Sequence, residues 1–211
     1  MIINKVEPIR GLKKVISKLF NVKFPNSDYA KYPEGLPKAL QDMYEIEAHF
    51  SKARNHKTLP FFSHQDRLIP FAQLDLTEKT FEFLWENQNN WVCEAELKTS
   101  KVYLRDRVEP YNSHYLTQKL PDFLMTFGLQ AVGFNLENAI GLEAKTMADI
   151  ESNFNTVEHL WTGKHLTNAV PFSFYLVDDD CFVMWTGMAV FATNNQEKFE
   201  HYKGVLTHYR F

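Results

Sequence analysis

Three groups of residues in this chain have side chains suited to catalysis or metal binding: His49, His56 and His64; the triplet Asp178-Asp179-Asp180; and Glu82, Glu86, Glu94 and Glu96. Imidazoles can converge on zinc, but zinc sites are usually marked by close ligand spacings such as CxxC or HExxH, and neither occurs. The histidines therefore read as solvated groups in and after a helix end. Adjacent aspartates can hold a hard cation through their carboxylate oxygens. Between two apolar strands, however, a turn is the more economical reading, because Asp accepts local backbone hydrogen bonds there. Paired glutamates could move protons, yet their alternation with apolar residues assigns them to a solvated sheet face.

Nucleophiles and phosphate cradles lack their usual settings. The 8 glycines form neither G-x-G-x-x-G nor G-x-x-x-x-G-K-[ST], and no G-x-S-x-G elbow is present. Cys93 and Cys181 lie far apart inside apolar runs, as small buried hydrophobes do, and not as a disulfide or an activated thiol. The expectation is a chain without catalytic residues, metal or cofactor, at home in a reducing compartment. What stands out is aromatic: 18 Phe, 9 Tyr and 4 Trp make 15% of the residues. Trp85 and Trp91 flank a turn, and Tyr103, Tyr111, Tyr115, Trp161 and Trp185 add polar-tipped rings that can anchor an interface or stack on a sugar.

The elements that must position these residues follow from periodicity. Ile9, Leu12, Ile16, Leu19 and Phe20 recur at helical spacing opposite Arg10, Lys13, Lys14 and Lys18, giving an amphipathic first helix with a solvated basic face. Asn21 to Glu34 is a loop. Gly35-Leu36-Pro37 then opens a helix with Leu36, Leu40, Met43 and Tyr44 as its buried stripe, since proline suits the first helical turn. Pro60 and Pro70 keep His56 to Gln73 irregular, with room for one short strand. Phe81, Phe83 and Trp85 alternate with Glu82, Leu84 and Glu86. After Asn87-Gln88-Asn89-Asn90, a second alternating run begins at Trp91, so the segment is a β-hairpin. A third strand covers Lys101 to Arg105. Leu116, Leu120, Phe123, Leu124 and Phe127 suggest a helix ended by Gly128, and Met147, Ile150, Phe154, Val157 and Leu160 suggest another. Phe172 to Val177 and Cys181 to Trp185 form a second hairpin around the aspartates, and Lys198 to Lys203 a short helix. This order indicates α+β with a central antiparallel or mixed sheet flanked by helices.

At 211 residues the chain can bury about 70% of its unfolded surface, which excludes intrinsic disorder and a disulfide-stapled miniprotein. A formal charge of −3 gives no ground for direct nucleic-acid binding. No apolar stretch approaches a membrane span, and Met1 to Pro8 has no signal-peptide core, so a cytoplasmic protein is expected.

Residues 9 to 130 also resemble a known family. Gly35-Leu36-Pro37-Lys38-Ala39-Leu40 with Met43-Tyr44, then Leu68-Ile69-Pro70-Phe71, Phe83-Leu84-Trp85-Glu86-Asn87-Gln88 before Trp91, Val102-Tyr103 and Leu120-Pro121-Asp122-Phe123-Leu124 occur in an order similar to the SUKH superfamily. That group includes fungal regulators of cell-wall synthesis and many bacterial immunity proteins. The chain resembles a divergent member, with Glu45-Ile46-Glu47-Ala48-His49-Phe50 where the family often has a glycine pair. The resemblance implies a SUKH-like domain over 1–135, with 136–211 a C-terminal α/β elaboration on the same core or part of one domain. It also implies a non-catalytic protein that neutralises a toxin by binding it. A candidate binding surface is Trp85, Glu86, Asn87, Gln88 and Trp91, where amides meet large apolar rings. A regulatory scaffold related to the wall-synthesis regulators and a small-molecule or carbohydrate binder are the alternatives.

Overall fold

The computed structural model of the chain describes residues 8–26, 28–53, 61–63, 66–144, 146–166 and 170–209. Among the described residues, two five-stranded antiparallel sheets and five α-helices make an α+β architecture. The residues divide into two units: one takes 24–131, the other 1–23 together with 132–211, and the division falls within a helix. The N-terminal helix thus groups with residues 132–211.

In the unit of residues 24–131, helix α2 (Lys38–Ala53) begins just after Pro37, whose carbonyl accepts the Leu40 and Gln41 amides at 2.9 and 3.1 Å. The sheet runs in chain order through β1 (Asp66–Leu68), β2 (Thr80–Glu86), β3 (Trp91–Glu96), β4 (Lys101–Asp106) and β5 (Ser113–Lys119). Its inner face is apolar. Phe83 meets Phe123 of helix α3 (Leu120–Asn135) edge to face at 5.6 Å, and Phe50, Phe61, Phe62 and Phe127 form a chain of ring contacts from α2 to α3. Much of the phenylalanine excess is spent here.

Two expectations for this unit change. Leu116 lies on β5 and not on a helix, because a strand can bury alternate residues on one face and Leu116 is the single buried residue of that strand. Helix α3 continues through Gly128 to Asn135, since glycine inside a buried helix costs little against the packing of Phe123, Leu124, Phe127 and Leu129.

In the other unit the strand order is β6 (Asn138–Leu142), β10 (Ala189–Thr193), β9 (Cys181–Trp185), β8 (Phe172–Val177) and β7 (Val157–Gly163). Helix α1 (Pro8–Phe20) is tied in by the Asn194 amide, which donates to the Leu19 carbonyl at 3.1 Å. Met147 to Leu160 is not one helix. Only α4 (Ala148–Glu151) is helical, and Val157 and Leu160 stand on β7. Strand β9 is apolar almost throughout because both its faces are covered. Cys181 and Val183 join the core around Phe154, Phe191 and Tyr202 of α5 (Gln196–Val205), whereas Phe182 and Met184 face Gly133 of α3.

A side chain at Gly133 would start 3.3 Å from the Phe182 ring, already tight for a methyl group. Gly133→Val should therefore lower stability by about 1–3 kcal/mol, read as an earlier urea midpoint with an unchanged m-value.

Candidate functional site

The outer face of the first sheet is built from charged and aromatic residues. Strand register places Glu82 directly opposite Glu94, two like charges that repel at a cross-strand distance. One side chain resolves this: Arg105 donates through Nε to Glu94 at 2.6 Å and through Nη2 to Glu82. Arg107 donates to the second Glu82 oxygen. Burial pulls the Arg105 pKa down, but Glu94 and then Glu82 outweigh it, so the guanidinium is held above its ordinary value. These glutamates are structural anchors for arginines.

A bulge in β2 decides where Trp85 points. The register against β3 shifts between Glu82 and Leu84, so Leu84 turns into the core beside Phe83 while Trp85 joins Glu82 on the outer face. The strict alternation of Phe81, Phe83 and Trp85 is broken for that reason. The indole N–H donates to Glu82 at 3.2 Å, and the guanidinium carbons of Arg67 and Arg107 lie 5.0 and 5.7 Å from its ring centre. Trp85 thus has two cations within reach of its ring, a contact favoured by the ring quadrupole.

The turn beyond it is fixed by several hydrogen bonds. Asn89 takes φ +60°, which asparagine tolerates, and its amide donates to the Glu86 carbonyl at 3.0 Å. The Glu86 carboxylate accepts the Asn90 amide at 2.9 Å. Asn87 and Gln88 are exposed, and Trp91 is half-buried. The following loop docks on this turn: the Arg107 amide donates to the Asn90 carbonyl at 2.7 Å and its Nη1 to Asn89 Oδ1 at 2.8 Å. This presents Val108 and Tyr111, 59% and 61% exposed, on the loop that follows the docked arginine. The structure therefore gathers Trp85, Glu86, Asn87, Gln88 and Trp91 at one end of one sheet and adds Arg67, Arg107, Val108 and Tyr111. Period two from Lys101 through Tyr103 and Arg105 to Arg107 is the sequence signal that points to the arginine.

Asp66 stands opposite Glu86 on β1. Burial, with a smaller contribution from Glu86, pushes its carboxyl up to about 6.

Elsewhere, the aspartate triplet is a turn. Asp178 and Asp179 have φ of +47° and +68°, and the Asp178 carboxylate accepts the Thr156 amide at 2.8 Å and the Tyr202 hydroxyl. Burial opposes its ionisation, but these hydrogen bonds hold the carboxyl below its usual value. Lys198 binds Asp180 and the Asp178 carbonyl, and Lys18 pairs with Asp179 at 3.0 Å. Of the histidine group, His49 packs at a tilt against Phe24 and edge to face against Phe50, while His56 and His64 lie outside the described residues. Among the described residues no three His, Cys, Asp or Glu side chains group as metal ligands. Both cysteines are free and buried; burial raises the Cys93 thiol well above its usual value and the Cys181 thiol to about 12. His159 Nε2 lies 2.9 Å from Thr162 Oγ1, which lies 2.9 Å from Ser173 Oγ, an exposed chain of polar groups. Among the described residues no helix is long and apolar enough to cross a membrane. No family model, curated protein or solved structure matches the chain.

Two outcomes test the electrostatics. Arg105→Met should cost about 1–3 kcal/mol by leaving Glu82 and Glu94 opposed, and adding Glu94→Gln should restore part of it in a double-mutant cycle. For Asp66, the folded form binds its proton up to about pH 6 while the unfolded carboxyl releases it near 4, so its ionisation destabilises progressively across that window and fully above it. Asp66→Asn should therefore gain on the parent as pH rises from 4 to 7, by on the order of 2 kcal/mol, in paired urea titrations.

Proposed function

We propose that this chain is a non-catalytic binding protein, an immunity protein that neutralises a toxin by occupying it, with the turn end of the first sheet as its contact surface. The observation that carries the reading is the pair Val108 and Tyr111, large apolar side chains held in solvent by a loop that is hydrogen-bonded to the Asn87–Asn90 turn. Exposed apolar surface on a fixed backbone loses little entropy on binding, and tyrosine is among the residues that carry most interface energy. Asn87 and Gln88 supply amides at its rim. The immunity role comes from the resemblance of residues 9 to 130 to the SUKH superfamily. The glutamates bound to arginines and the inert thiols favour recognition over chemistry.

Co-expression with a toxin encoded beside the gene is the direct test, and the lack of any such neighbour removes the immunity reading. The parent chain should restore growth and co-purify with the toxin. Tyr111→Ala with Gln88→Ala should weaken the complex by on the order of tenfold or more without moving the unfolding midpoint. No protection by the parent chain removes the immunity reading.

A further inference from the structure

We propose that the outer face of β4 and β5 docks an acidic segment of a protein partner, with carboxylates on Lys101 and Lys119 and side chains laid on the Tyr103 and Tyr115 rings. The proposal rests on the reading of the chain as a protein-binding domain and names the chemistry of the partner. Register sets Lys101 directly opposite Lys119, and Tyr103 opposite Tyr115, on the strand pair at the edge of the sheet. Two ammonium groups facing each other across strands repel. The same sheet contains another like-charge pair, Glu82 and Glu94, and there the chain supplies Arg105 as the counter-charge. For the lysines it supplies none: among the described residues neither forms an ion pair. Lys101 instead lies 5.7 Å from the centre of the Tyr115 ring.

The rings beside the lysines are open to a partner. Tyr103 and Tyr115 are 5.6 Å apart, and Tyr115 is 47% exposed. The chain as a whole carries −3, so this basic strip is not a by-product of a basic composition. The neighbouring cations Arg105 and Arg107 are already held by Glu82 and Glu94. Two available lysines release few counterions from a nucleic acid, which favours short carboxylate-bearing chains over a phosphate polyanion. An arriving carboxylate would relieve the lysine repulsion and strengthen in the partly dehydrated contact, while the tyrosines contribute apolar area.

The test uses the full chain and a short fluorescein-labelled peptide of alternating Glu and Tyr, read by anisotropy at low and high salt. Saturable, salt-sensitive binding is expected, with no comparable binding by the Lys-for-Glu peptide. Lys119→Glu should weaken the peptide by about tenfold while leaving the unfolding midpoint unchanged or higher, because the introduced carboxylate would face Lys101 as an opposite charge. Tyr115→Ala should weaken it by about threefold to tenfold, and Lys14→Glu, exposed on α1, should change nothing. Equal affinity for the parent and Lys119→Glu overturns the proposal, as does tighter binding of a single-stranded oligonucleotide than of the peptide. If a toxin is captured equally well by Lys119→Glu, the strip is wrong and the immunity reading stands. If Lys119→Glu loses the peptide but the parent protects against no toxin, the strip stands and the immunity reading fails.

Discussion

The repulsion between Glu82 and Glu94, and the Arg105 side chain that resolves it, organise the outer face of the first sheet. Two carboxylates opposed across strands would weaken β2 against β3. One planar guanidinium bridges both with separate N–H groups, which a point-charge lysine does less well. Once Glu82 is fixed, its second oxygen holds Arg107 and the Trp85 indole, and Arg107 in turn clamps the turn at Asn89 and Asn90. The placement of the exposed groups at that end of the sheet traces back to this pair.

Trp85 shows how a local irregularity redistributes side chains between the faces of a sheet. With regular alternation it would be a core residue beside Phe83, and Leu84 would face water. The bulge exchanges the two, placing an aliphatic group inside and a large ring among cations outside. A bulge adds one residue to a strand and is invisible to a period-two count. The hairpin, its turn and the nearness of Trp85 to Trp91 are therefore legible in the sequence, but the direction of the first tryptophan is not.

The same physics separates the legible elements from the illegible ones elsewhere. Helices α1 and α2 and the hairpin around Asp178 to Asp180 carry clean signals: a one-sided stripe, a proline at the helix start, and apolar runs broken by a polar turn. Strands β5 and β6 carry no comparable signal. β5 buries one residue in seven, so it has no hydrophobic face to detect. Residues such as Val157 and Leu160 fall by chance on helical spacing, yet stand on β7 paired with β8, because pairing with a distant segment overrides local period. The charge pattern of the outer face is equally hidden, since Glu82 and Glu94 become neighbours only after the strand register is known.

An edge strand is normally protected against unwanted pairing, and β5 carries two such devices: a residue with positive φ at Thr117, which breaks the flat edge, and exposed polar or charged positions along most of its length. Lysines serve this purpose in many sheets. Protection alone does not require Lys119 to sit opposite a second lysine, since a glutamate there would repel foreign edges through its charge equally well and would also pair with Lys101. Keeping the repulsion forgoes stability at a surface position where an opposite charge is sterically simple. Where a natural sequence leaves such a gain unused, function is one competing demand. Next to two half-open tyrosine rings, an external carboxylate is the counter-charge that the proposed strip would take.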